Sequence, residues 1–274
     1  MLRGAEERRG KMREVSGKSV QRRFEIVEGL PAIFFCEEDA ICIADLHLGY
    51  ESSLAGISLP SRQLQEVERK FELALKNCGG ASKLIINGDL KHVFSEASRQ
   101  EWAEVPMFLD FVLSFVREII LVRGNHDTFL GPLRRFKEVE VVNSLEIGDV
   151  LLIHGHNKDF IRIFEWAKAR GIAEIVIAHE HPFLILGDRV GARVRVPCFL
   201  RGRFGGFRIC VLPAFSPLAG GTAVNVAAKS EFLSPILRSD FVQIDEMEVL
   251  AVDESAGTLK FPALKKWKAF SLRL

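Results

Sequence analysis

Long apolar runs are missing from this sequence of 274 residues. None approaches the roughly 20 residues that a bilayer span requires, so no membrane-spanning helix is expected. The first 23 residues (MLRGAEERRGKMREVSGKSVQRR) hold almost nothing apolar and lack the hydrophobic stretch of a secretory signal. Without apolar surface to bury, residues 1–23 are expected to form a flexible tail, with Met12 as an alternative start, and the expected location is the cytoplasm. A charge excess is lacking too: 37 basic residues stand against 36 acidic ones. The overall field therefore steers the chain toward neither nucleic acid nor anionic lipid, and any basic surface is local. Cysteine is sparse, with five residues (Cys36, Cys42, Cys78, Cys198, Cys210), an odd number without C-x-x-C spacing. This pattern argues for reduced core residues rather than a disulfide framework or a thiolate metal site. Internal repeats and low-complexity tracts are absent.

What is present is a 48% apolar chain, enough for one generous core, and residues 24–274 are expected to form a single domain. Short apolar runs (AIFF, ICIA, KLIIN, EIILV) alternate with helical segments, which indicates an α/β sheet. After Pro60, Leu64, Val67, Phe71, Ala74, Leu75 and Cys78 recur at helical spacing, with Ser61 as N-cap and Gly79-Gly80 as the stop. Beyond residue 138 the strands lie closer together. VEVVN followed by LEIGDVLLIHG suggests a hairpin, a helix is expected near residues 160–170, and EIVIA follows as a strand. From residue 183 the alternation in RVRV and the runs FRICVL and FVQI imply mostly antiparallel β-structure.

The seven histidines all fall in five short clusters: Asp45-Leu46-His47, Gly88-Asp89-Leu90-Lys91-His92, Gly124-Asn125-His126-Asp127, His154-Gly155-His156 and His179-Glu180-His181. Each follows an apolar strand candidate, and ligands of open α/β sheets gather beyond the carboxyl ends of strands. The clusters can thus converge at one edge. Imidazole with carboxylate suits manganese, iron or zinc. Asp45, His47, Asp89, Asn125, His154, His179 and His181 are too many donors for one tetrahedral ion and fit two ions sharing a carboxylate. Two cations on the order of 4 Å apart can bind a phosphate, acidify a bridging water and stabilise an in-line displacement. His126 can give the leaving group its proton while Asp127 holds its ring. Arg123 and His156 are candidates for contact with substrate phosphate.

The order DLH, GDLKH, GNHD, HGH, HEH resembles the calcineurin-like metallophosphoesterase superfamily over residues 45–181. The resemblance implies a four-layer α/β/β/α sandwich of two mixed β-sheets flanked by helices. It implies that Asp45, His47 and His181 hold one divalent ion, that Asn125, His154 and His179 hold another, and that Asp89 bridges them. Manganese is the expected metal, with iron, zinc, nickel or cobalt as alternatives. His126 would be the phosphate-contacting acid. Lys91-His92 lacks the Arg-Gly of serine/threonine phosphatases, and His92 stands where purple acid phosphatases carry a tyrosine ligand. A histidine three residues after the bridging aspartate is similar to the double-strand-break-repair nucleases, which makes His92 a second candidate acid or clamp. VPCFLRGRF and LPAFSPLAGGTAVN resemble the tails of small prokaryotic phosphoesterases of that branch, some of them encoded beside DNA ligases or helicases. Two departures stand out: Ala178 replaces a glycine, and there is no room for the repair nucleases' capping domain.

Phosphodiester hydrolysis of nucleic acid or a nucleotide is the activity so implied. A phosphomonoesterase, or a metal-stabilised module that docks a ligase or helicase without catalysis, remains the alternative. The C-terminal arginines (Arg189, Arg193, Arg195, Arg201, Arg203, Arg208) read as a solvated strand face or as a basic groove, and Gly205-Gly206 and Gly220-Gly221 as turns or as phosphate nests.

Overall fold

Each early apolar run becomes a strand because both of its faces find something apolar to cover them. In the computed structural model, which describes residues 23–51, 62–187 and 193–271, β1 (Glu25–Ile26), β2 (Ile33–Phe35) and β3 (Ala40–Ile43) lead into the first helix, α1 (Arg62–Cys78). β4 (Lys83–Ile86), α2 (Arg99–Leu113), β5 (Glu118–Val122) and β6 (Val139–Val142) complete a six-stranded sheet ordered β1-β2-β3-β4-β5-β6. Strands β3 to β6 run parallel, with antiparallel β1 and β2 on one edge.

The second sheet is built from β7 (Leu145–Ile147), β8 (Val150–Leu152), helix α3 (Phe160–Ala169), β9 (Glu174–Ile177), β10 (Phe183–Gly187), β11 (Arg193–Phe204) and β12 (Phe207–Val211). After the short helix α4 (Pro235–Arg238), β13 (Glu248–Asp253) and β14 (Gly257–Phe261) close it, and α5 (Leu264–Ser271) follows. Its eight strands run β14-β13-β11-β12-β9-β8-β7, with β10 on β11. Pairing is antiparallel except among β8, β9 and β12, which run parallel.

The period of two in a strand sorts side chains into layers. On β3, Ile41 and Ile43 face the helix layer of α1 and α2, while Ala40 and Cys42 face the other sheet. On β9, Ile175 and Ile177 point to the α3 side and Val176 points inward. The seam between sheets combines small residues (Ala44, Ala178, Cys210) with Phe24, Phe35 and Phe199. The result is the four-layer sandwich that the family resemblance implies.

Helix α1 buries Leu64, Val67, Phe71, Ala74, Leu75 and Cys78, the expected face, and adds Gln63. It stops where Gly80 N–H returns to the Leu75 carbonyl (2.7 Å), with Gly79 and Gly80 both at positive φ, the geometry of a glycine C-cap. Helix α2 opens with a capping box: Ser98 Oγ accepts from Glu101 N–H at 3.2 Å, and Glu101 Oε2 accepts from Ser98 N–H at 2.6 Å. Gly205-Gly206 form the two-residue turn between β11 and β12, both at positive φ, so the turn reading holds there.

Three expectations need correction or bounding. VEVVN and LEIGDVLL do not pair with each other: β6 joins β5 in the first sheet, and the hairpin lies wholly between β7 and β8. Of the proposed tail, residues 1–22 lie outside the described residues, as do Ser61 and Arg189. Arg23 is anchored, donating to Asp149 Oδ1 (3.0 Å) and Glu37 Oε2 (2.9 Å). Among the cysteines, Cys36 is exposed rather than core, because β2 ends at Phe35 and Cys36 opens the turn to β3.

Burial pushes the thiols of Cys42 and Cys198 well above their ordinary value and that of Cys78 up to about 11. Since the thiolate is the reactive form, a disulfide reagent at pH 8 is expected to titrate Cys36 rapidly in the native protein. The four buried cysteines should react only on unfolding. A second fast-reacting native thiol would contradict this packing.

Candidate metal centre

The five histidine clusters sit directly beyond the carboxyl ends of five strands: β3, β4 and β5 of one sheet, β8 and β9 of the other. Because the parallel strands of both sheets open at the same edge, all five meet there. The turns are tight. Asp45, His47, Asp89, His179 and His181 all have positive φ (46° to 67°), and Asp39 is the one other such non-glycine among the described residues. Side-chain-bearing residues avoid this region, so strain is concentrated where the donors are.

Neighbouring strands hold these turns open. Asp45 N–H donates to the Gly88 carbonyl (3.0 Å), His47 N–H to that of Asp89 (2.9 Å), and Ala178 N–H to that of His154 (2.9 Å). Two glycines permit the approach. A Cβ on Gly88 would lie 2.0 Å from His154 Nδ1, and one on Gly124 would lie 2.1 Å from Asp89 Oδ1. Ala178, where a glycine was expected, is buried in the seam without positive φ and is accommodated.

Each of the two site carboxylates divides its oxygens. Asp45 Oδ2 accepts from His179 N–H (3.2 Å) and Asp89 Oδ1 from His126 N–H (2.9 Å). That leaves Asp45 Oδ1 at 3.2 Å from His181 Nε2. Asp89 Oδ2 lies 3.2 Å from His154 Nε2 and 3.8 Å from the Nε2 of both His47 and His126. Two donor groups therefore share Asp89: Asp45, His47, Asp89 and His181 in one, Asp89, His154 and His179 in the other. Asn125 Oδ1 adjoins the second, 3.1 Å from His154 Nε2. His47, His92 and His126 form a third group on the outer side.

These groups suit cations. Asp45 Oδ1 is buried without a hydrogen-bond partner, and the Nε2 atoms of His47 and His181, both beside the site carboxylates, approach to 3.4 Å. Oxygen and imidazole donors without thiolate are what manganese, iron or zinc accept.

The histidines of the site differ in charge. Burial and the neighbouring His181 hold His47 well below its ordinary pKa, and burial with His154 holds His179 down at about 3, so both keep a lone pair at neutral pH. Burial opposes charge on Asp89, His154 and His181, yet the attraction between carboxylate and imidazole wins: Asp89 is lowered by His154, His154 is raised by Asp89 and His181 by Asp45, so a cation would displace a proton from these two histidines. His154 Nδ1 points to the Asn87 carbonyl (2.9 Å), which aims Nε2 inward, the usual outer-shell device for a ligating histidine.

The flanking residues fall into place around this core. His126 Nδ1 contacts the His92 carbonyl, leaving Nε2 toward Asp89. The expectation that Asp127 holds the His126 ring is therefore corrected. Asp127 is fully buried, and its carboxylate accepts from the N–H groups of Asp89 (2.8 Å), Gly124 (2.9 Å) and Leu90 (3.1 Å). Burial and the charge of Asp89 push it up to about 6 against those hydrogen bonds. Arg123 Nη1 donates to the Asp127 carbonyl (2.9 Å) and braces the same turn. His156 is half-buried with its ring 5.3 Å from that of His154.

Several supports went unread in the sequence. Gln63 Nε2 reaches the carbonyls of Leu46 (3.0 Å) and His47 (2.9 Å) and Ser216 Oγ (2.9 Å). Buried Glu180 accepts from Leu233 N–H (2.9 Å) and Ser234 N–H (2.8 Å) and from the Thr222 hydroxyl. Glu101 Oε1 accepts from His92 N–H (2.8 Å) and Val93 N–H (2.6 Å). Only Glu101 carried a local signal, through the Ser98-x-x-Glu101 capping box.

A family model described as calcineurin-like phosphoesterase matches residues 40–209. Among solved structures, a nuclease designated MPE from Pseudomonas putida aligns with a TM-score of 0.55 at 20% identity, covering 85% of this chain and 93% of that one. A predicted phosphoesterase from Streptococcus pneumoniae TIGR4 aligns with a TM-score of 0.34 at 15% identity, covering 81% and 96%. The E. coli phosphoesterase YfcE aligns with a TM-score of 0.36 at 18% identity, covering 67% and 83%. No curated protein matches the chain in sequence.

Asp127→Asn tests the brace beneath Asp89. The amide nitrogen would oppose a backbone N–H donor, leaving buried groups unpaired at about 1–3 kcal/mol. Divalent-metal affinity is expected to fall at least about tenfold, as for other outer-shell losses, alongside a lower melting temperature. Calorimetric titration with manganese measures it, and wild-type affinity would rule out the brace.

Proposed function

The chain belongs to the calcineurin-like phosphoesterase family, and on that premise we propose that it is a two-metal phosphodiesterase acting on nucleic acid or a nucleotide. The observation that carries this reading is Asp89: one carboxylate oxygen is tied to the backbone and the other is shared between two donor groups. Asp45, His47 and His181 would hold one divalent cation and Asn125, His154 and His179 the other, with Asp89 common to both. Bound there, the pair, proposed to be manganese, would supply Lewis acidity to the phosphoryl oxygens and to the attacking water.

The chain's own residues supply the rest. Hydrolysis forms a bond from water oxygen to phosphorus, with a proton of that water released to solvent, and breaks the bond to the ester oxygen, which leaves as an alkoxide in need of a proton. His126 Nε2 is the proposed donor. Its ring is fixed through Nδ1 to the His92 carbonyl, and a positioned acid of this kind contributes about 10²–10⁴-fold. His92, whose ring stacks on that of His126 at 5.4 Å, is the proposed clamp on a non-bridging oxygen. His156 is proposed to do the same on the side of the second donor group. A pair of carboxylates holding two dications keeps the site net positive, as a diester anion requires.

The test is hydrolysis of bis-p-nitrophenyl phosphate by the full chain with manganese. Asp89→Asn is expected to remove turnover. On a thymidine dinucleotide, whose leaving group is an alkoxide in need of a proton, His126→Ala should lower kcat by about 10²-fold or more while leaving metal affinity within a factor of two or so, since it removes the proton donor. Inactivity of the wild type with every divalent cation would defeat the proposal, and undiminished kcat in His126→Ala would remove that residue's role.

A further inference from the structure

A row of aromatic rings borders the centre on its outer side, and its most exposed member is not needed for cation binding. The Tyr50 ring lies 4.2 Å from His92, His92 stacks at 5.4 Å on His126, and Phe94 stacks at 3.7 Å and 29° on His126. Phe94 is thus one ring beyond the imidazole that faces Asp89 at 3.8 Å. It is 57% exposed, so the face turned from His126 is open to a ligand.

Exposure here does not come from a loose loop. Residues 91 to 98 are tied down on both sides of Phe94. Lys91 is itself 1% exposed, and its ammonium donates to the Val93 carbonyl and to that of Ser95 (3.4 Å). The Thr128 hydroxyl donates to the Phe94 carbonyl. Glu101 receives the N–H groups of His92, Val93 and Ser98. A buried lysine and a buried carboxylate are costly unless fully used, and both serve to fix the backbone that presents this ring. Phe129, the residue after Thr128, stands 6.3 Å from Trp102, which is 49% exposed.

We propose that Phe94 is a base-stacking residue: the ester cleaved at the Asp89 centre belongs to a nucleotide or single strand, and the base nearest the scissile phosphate lies on the open face of Phe94. This deepens the phosphodiesterase reading and rests on it. Every nucleobase presents a π-face, so a fixed phenyl ring binds bases with little regard to sequence. A base stacked within a duplex cannot reach it without first being extruded. The site therefore selects unpaired nucleotides and is indifferent to which base they carry.

The experiment has two arms, both on the full chain as wild type, Phe94→Ala and Phe94→Tyr. One titrates protein into a short thymidine single strand with a central 2-aminopurine, using calcium as a spectroscopically silent cation and reading fluorescence quenching. The other measures kcat/KM with manganese on p-nitrophenyl thymidine 5′-phosphate and on methyl p-nitrophenyl phosphate. The wild type and Phe94→Tyr are expected to quench alike. Phe94→Ala should bind about tenfold or more weakly, and its preference for the thymidine ester over the methyl ester should fall by a similar factor, as one base–aromatic stack provides. Absence of quenching by the wild type, or equal affinity and equal ester preference in wild type and Phe94→Ala, would overturn the proposal. Quenching that depends on Phe94 without hydrolysis of either ester would instead sink the phosphodiesterase reading and leave the stacking site standing. Hydrolysis of both esters with no dependence on Phe94 would do the reverse.

Discussion

Asp89 is held from rotating, and its immobilisation is the constraint around which the edge of this sandwich is arranged. One oxygen is occupied by the His126 N–H, and the residue's own N–H is received by Asp127. Gly124 leaves the room that the carboxylate fills. The consequence spreads outward. Asp127 must be buried to reach three amides at once, and Arg123 then braces its carbonyl. The GNHD segment is therefore a cradle for Asp89 as much as a source of functional groups of its own.

The left-handed backbone at Asp45, His47, Asp89, His179 and His181 follows from the same demand. A strand leaving a sheet would carry its next side chains away from the edge, and the reversed φ turns them back over it. Such conformations cost of order 1–3 kcal/mol each. The sheets make them tenable, since the backbone of each turn is hydrogen-bonded to the neighbouring turn or strand. Strain, packing and chemistry are therefore one problem at this edge.

How much of this could be read in the sequence depended on range. The face of α1 and the strand-end position of all five histidine clusters are written in local periodicity, and the structure reproduces them. The two-layer split of β3 follows from ordinary alternation. The brace role of Asp127 was not legible, because an aspartate after a histidine looks like its orienting partner until the fold brings Asp89 and Leu90 to it. Gln63 meets Ser216 across 153 positions, and nothing in either neighbourhood announces the contact. Strand β6 misled because VEVV and LEI are close in sequence, while each found a better partner in a different sheet. Cys36 misled for the opposite reason: it extends an apolar run by one residue past the point where the chain turns.

The donors are contributed by both sheets, with Asp45, Asp89 and Asn125 from one and His154, His179 and His181 from the other. The sheets otherwise meet mainly through an apolar seam. Anything gripped by all of these donors would act as a rivet across that seam, because it binds only when the two halves are in register, and mass action then adds to the folded state's stability. Chain synthesised where divalent ions are scarce would thus be softer along this one edge, and more open to cellular proteases, than the same chain in a replete cell.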